Sequence, residues 1–153
     1  RIEGMLTPQS ANAIIHGDYR IDNTLLDPAS ATQVVAVVDW ELSTIGDPVA
    51  DVATMAAYRH PAFDLIVGEP SAWTSPRLPS VTGLAARYEL AGGHALEGWD
   101  LHLALAHYKI AVVAAGIDYR TAAGTGAGVG FETAGAAVAP YLEAAADLST
   151  AAG

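Results

Sequence analysis

The residues best suited to chemistry lie between Ile14 and Asp51, in IIHGDYRIDNTLLDPASATQVVAVVDWELSTIGDPVAD. Asp18 is followed five positions later by Asn23, and a second acid, Asp39, closes a run of β-branched residues. An amide oxygen and a carboxylate side by side make a hard, oxygen-only site. Magnesium takes such ligands while keeping several waters and binding substrate phosphates. Asp18, earlier on the loop, stays free to accept the proton of an attacking hydroxyl. One acid, one amide and one more acid are what phosphoryl transfer from a magnesium nucleotide requires.

The neighbouring elements must bring these groups together. Leu25 and Leu26 follow Asn23, Asp27-Pro28-Ala29-Ser30-Ala31-Thr32 has turn chemistry, and Val34-Val35-Ala36-Val37-Val38 reads as a buried strand. The pattern predicts a hairpin. An antiparallel pair folds the chain back on itself, so Asp39 is expected beside Asn23 although 16 positions separate them.

HGDYRIDN and VVDWELSTIGDPVADVA resemble the catalytic and metal loops of the aminoglycoside phosphotransferase and choline kinase group, the small-molecule relatives of protein kinases. The wording is most similar to the phosphotransferase-like domains found beside, or fused to, acyl-CoA dehydrogenases. The resemblance implies that Asp18 is the catalytic base and that Asn23 and Asp39 hold magnesium against the phosphates of ATP. It places Arg20 as a cation near the transferred phosphate and His16 as a brace of the loop. Asp47 and Asp51, in GDPVAD, become the acidic pair that ties the following helix to the loop. Protein kinases carry Phe-Gly after the metal aspartate; Trp40-Glu41 stands here, which favours a small substrate. EGWDLHLALAHYKIAVVAAGIDYR resembles the late core helix of the same group, ending near Ile117 and Arg120.

The implied fold is α+β, mostly α: a protein-kinase-like C-terminal lobe, residues 1–153 as one domain, whose small β-hairpin carries the catalytic and metal loops. A kinase of this group also has an N-terminal lobe with a phosphate-covering loop and a strand lysine. The only lysine is Lys109, far downstream of Asp18. The nucleotide-binding lobe is therefore expected to be missing, and the lobe alone to be poorly active or inactive.

Composition narrows the partners. Seven basic residues stand against seventeen acidic ones, a net charge of −10, which opposes nucleic-acid binding because that affinity comes from Lys and Arg clusters. No apolar run approaches the ~18 residues of a membrane span. The absence of cysteine excludes disulfides and thiolate metal sites, and with no signal-peptide pattern a cytoplasmic location is expected. The oligomeric state is left open.

Arg1 to Gly4 precede the first Met and read as a non-native leader. A helix is expected after Asp47, which can cap it, with Pro48 just inside its start, ending at His60-Pro61. Pro61 to Pro79 reads as a long surface connection that Trp73 either anchors to the core or offers to a substrate. Ser80 to Leu90, opening on a Ser or Thr cap, and Trp99 to Ile117 are further helices; the second, apolar nearly all round through Leu101, Leu105, Tyr108, Ile110, Val112 and Val113, is expected inside a bundle. Gly124 to Gly130 lacks the spacing and the lysine of a nucleotide loop and reads as a flexible linker. Phe131 to Leu148 is a last helix, interrupted at Pro140, with Val138, Tyr141, Leu142 and Ala145 packing inward.

Three functions fit these features. The first is a small-molecule kinase that moves the γ-phosphate of ATP to the hydroxyl of a small substrate with Mg2+. The second is a non-catalytic, pseudokinase-like binding module. The third, a metal-dependent phosphoesterase using His16, Asp18, Asp39 and His60, lacks the additional histidines that two-metal sites need.

Overall fold

The structure, a computed structural model, describes residues 3, 6, 8, 9 and 11–151. Most of the expected Arg1–Gly4 leader lies outside the described residues. Two small antiparallel sheets come first. β1 (Ala13–Ile15) pairs with β4 (Thr44–Gly46), Ile14 opposite Ile45, and β2 (Thr24–Asp27) pairs with β3 (Ser30–Val37). The β1–β4 pair was not expected from sequence.

The predicted hairpin is present, with Thr24 opposite Val37. Its turn is tighter than the Asp27–Thr32 stretch suggests: β3 begins at Ser30, and the Asp27 carboxylate accepts the Ala29 N–H at 2.8 Å, a side-chain bond that stands in for a backbone turn. The pairing is irregular between Leu25 and Asp27. The strand is not buried either, since Val34 and Val35 are 46% and 57% exposed. Among the described residues the hairpin packs chiefly on itself, so its apolar faces remain open.

Five helices follow: α1 (Val49–Ala57), α2 (Phe63–Val67), α3 (Val81–Leu90), α4 (Trp99–Ala122) and α5 (Val138–Ala151). Asp47 accepts the Val49 N–H at 3.0 Å, so the predicted cap of α1 is made, with Pro48 one place before the helix. Ser80 caps α3 by accepting the Gly83 N–H.

α4 runs between α1 and α5. Ala53, Ala56 and Ala57 of α1 and Ala106, Ala111 and Ala114 of α4 share one core with Phe63, Trp73 and Tyr141. Alanines at these positions let helices approach closely, and the large aromatics fill the remaining space. α4 is enclosed only in part: Leu101 and Ile110 are buried as expected. Leu105, Tyr108, Val112 and Val113 are 39% to 54% exposed, because α1 and α5 cover only part of its circumference. By length and composition α4 could cross a bilayer, yet one stripe of it forms this core.

Three other segments depart from expectation. The Pro61–Pro79 stretch holds α2, which was not expected, and buries Phe63 and Trp73, so Trp73 takes the anchoring one of its two expected roles. Arg59 closes that loop by donating to the carbonyls of Trp73 and Ser75. The glycine run is packed at its end: a Cβ on Gly130 would lie 2.1 Å from the Ile66 carbonyl oxygen, an approach that only glycine permits. Pro140 does not interrupt α5; it is the third residue, where its missing N–H leaves no bond unmade. Tyr141 and Ala145 are buried as expected, but Leu142 is exposed.

His60 and His107 meet edge to face at 5.9 Å beneath Tyr141, and burial holds both imidazoles below their ordinary pKa of 6.5. The unfolded chain therefore binds more protons, and stability, full above about pH 6.5, is lost as pH falls through the depressed native values. Thermal melts at falling pH should show this decline, and the His60→Asn/His107→Gln pair should flatten it; an unchanged slope would assign it to other groups.

Candidate active site

The site is built on the turn between β1 and β2. Gly17 has φ 84°, and a Cβ there would lie 2.6 Å from the Leu42 carbonyl oxygen, so the turn needs glycine. Asp51, in the first turn of α1, accepts the backbone N–H of His16 at 2.6 Å and that of Gly17 at 2.8 Å. Both carboxylate oxygens are thus spent on the two residues before Asp18. His16, 3% exposed, accepts the Asp18 N–H at Nδ1 (3.3 Å) and donates from Nε2 to the Val38 carbonyl (2.8 Å). This fixes its tautomer and ties the loop to the end of the hairpin.

Three of the four sequence-predicted site residues meet through their side chains. Asn23, 5% exposed, donates from Nδ2 to the Asp18 carbonyl at 2.9 Å and reaches its Oδ2 at 3.4 Å. Arg20 Nε lies 3.4 Å from the same Oδ2 without making a hydrogen bond, and its Nη1 lies 3.5 Å from Asp22. Asp39 joins them through no side-chain contact among the described residues: the hairpin returns Val38 to Asn23, its N–H donating to the Asn23 carbonyl at 2.9 Å, one residue before Asp39. Asp39 itself is exposed and holds φ 65°, among non-glycine residues described the only positive value. Left-handed backbone at an acid is strained and often marks a functional position.

Two residues of the site were missed from sequence. Tyr58 donates its hydroxyl to Asp18 Oδ1, and burial first, then that bond, pushes its pKa well up. Lys109 donates to the Gly17 carbonyl at 2.5 Å. Tyr58 stands seven positions after Asp51, hence on the same helix face, a spacing legible in principle. Lys109 is 92 positions from Gly17, and no local pattern links them.

A cavity of about 240 Å3 opens beside Asp18, bounded by Arg20, Tyr58 and Lys109 on its polar side and by Phe63, Ile66 and Val113 among its apolar walls. Asn23 and Asp39 do not line it. The Asn23 amide nitrogen is directed at Asp18, and among the described residues neither its amide oxygen nor the Asp39 carboxylate makes a hydrogen bond or ion pair. An unengaged amide oxygen and carboxylate are the donor types that suit magnesium.

Asp51→Ala strands two loop N–H groups. It should lower the free energy of unfolding by about 2–3 kcal/mol in urea titrations, the scale of hydrogen bonds to a charged acceptor; a change within error would show that the loop is held elsewhere.

A family model described as a phosphotransferase enzyme family matches residues 2–101. Mouse acyl-CoA dehydrogenase family member 10 is 32% identical over 149 residues, 95% of this chain and 14% of that protein. Human acyl-CoA dehydrogenase family member 11 is 36% identical over 110 residues, 70% of this chain and 14% of that protein. The chain thus spans a small part of these relatives. A crystal structure of an aminoglycoside phosphotransferase candidate from Ralstonia eutropha JMP134 superposes with a TM-score of 0.71 at 30% identity, covering 92% of this chain and 43% of the other. With the loop geometry and the matched residues in agreement, the chain belongs to the phosphotransferase enzyme family.

Proposed function

We propose that the protein transfers the γ-phosphate of ATP to the hydroxyl of a small molecule, with Asp18 as base and Asn23 and Asp39 as magnesium ligands. The convergence of Tyr58, Asn23 and Arg20 on the Asp18 carboxylate carries this reading, because a base must be oriented before it can act. Asp18 faces a cavity large enough for part of a small acceptor. Arg20, on the same wall, would offset charge on the transferred group. Magnesium, when bound, would neutralise the phosphate oxygens.

Residues 1–153 are proposed to form the base and metal lobe of a kinase-like fold, inactive alone, with a nucleotide-covering lobe supplied by sequence outside them. Lys109 is engaged with the loop, so it does not serve as a strand lysine. A cytoplasmic setting, with neither nucleic acid nor membrane as partner, belongs to the same proposal. The phosphoesterase reading loses one ligand, since both ring nitrogens of His16 are engaged.

In the full-length gene product, Asp18→Asn should reduce ADP formation from Mg-ATP with an alcohol panel by about 10²–10⁴-fold while the melting temperature holds. Undiminished turnover would remove Asp18 from the mechanism. Calorimetry with Mg-ATP separates the kinase from a pseudokinase-like binding module: saturable binding that weakens in Asp39→Ala is expected, and no binding would favour the module.

A further inference from the structure

The Asp18 carboxylate is held unevenly. Oδ1 receives the Tyr58 hydroxyl, whereas Oδ2 has a long hydrogen bond from Asn23 Nδ2 and an ion pair with Arg20 Nε, both at 3.4 Å. Tyr58 is itself firmly placed. It is 7% exposed, closes the C-terminal end of α1, and packs against the rings of Phe63 at 4.8 Å and Trp73 at 6.0 Å. The same helix face carries Asp51, two turns earlier, which grips the backbone at His16 and Gly17. One rigid element therefore sets both the main chain before Asp18 and the rotation of its side chain.

We propose that Tyr58 is a positioning residue: its hydroxyl occupies Oδ1 of Asp18 and thereby designates Oδ2 as the oxygen that takes the acceptor's proton. This rests on the reading of Asp18 as base. As the acceptor oxygen bonds to the γ-phosphorus, its proton passes to Oδ2, and the bond from that phosphorus to the bridging oxygen breaks, ADP leaving with the electron pair. Burial of the phenol keeps its proton in place, so Tyr58 remains a donor throughout. Both residues also border the cavity, so a hydroxyl bound there lies beside the Asp18 carboxylate.

Two measurements on the full-length gene product test this. The first needs no acceptor: with labelled tyrosine, the Tyr58 hydroxyl proton should resonate downfield in NMR spectra and move when Asp18→Asn replaces its acceptor. A resonance unmoved by Asp18→Asn overturns the contact. The second is kinetic. Tyr58→Phe should lower kcat for ADP formation with the alcohol panel by about 10- to 100-fold, the value of one hydrogen bond to a charged group, and leave KM for Mg-ATP within about twofold. In the Asp18→Asn background the same substitution should have no further effect on kcat. Wild-type kcat in Tyr58→Phe, or full additivity with Asp18→Asn, overturns the positioning role alone. Wild-type turnover in Asp18→Asn instead overturns the base assignment beneath it.

Discussion

The carboxylate of Asp51 is the constraint on which the site depends. Its two oxygens hold consecutive backbone N–H groups, at His16 and Gly17, across 35 and 34 positions of sequence. Bonds to an ionised acceptor are about twice as strong as neutral ones, and two from one group fix direction as well as distance. Without that grip Gly17, with its positive φ and its close approach to Leu42, loses the bond to its N–H and is left to the Lys109 tie on its carbonyl.

The rest of the site is layered outward from this turn. His16 transmits its position to the end of the hairpin through Val38, and Val38 pairs in turn with Asn23. Lys109 adds a third tie from α4 to the Gly17 carbonyl. The loop is thus held by α1, by α4 and by the hairpin, three elements that do not share a local sequence. Such redundancy suits chemistry in which most of the catalytic effect is positioning and electrostatics.

The core serves the same end. Alanine-lined contacts between α1 and α4 bring Asp51 and Lys109 to one turn, and the aromatic cluster of Tyr58, Phe63 and Trp73 stiffens the end of α1 nearest Asp18. The cavity forms where α2 and α4 leave space beside that cluster. Apolar residues left exposed on the hairpin and on α4 show that local hydrophobicity did not decide burial; the packing of neighbouring elements did.

Local physical chemistry made the hairpin, the caps at Asp47 and Ser80, the helices other than α2 and the return of the hairpin to Asn23 legible in the sequence, because turn residues, side-chain caps and strand return act over short spans. The family was legible in the loop motifs for a different reason: their residue types and spacing answer to one chemistry. Tertiary structure alone decided that Tyr58 grips Asp18, that Lys109 reaches Gly17 and that β1 pairs with β4. It also turned Pro61–Pro79 and the glycine run from connections into packed segments, and left Val34, Val35 and part of α4 uncovered. Each of those outcomes depends on contacts between residues distant in the chain, and periodicity records which residues could be buried without recording what will be there to bury them.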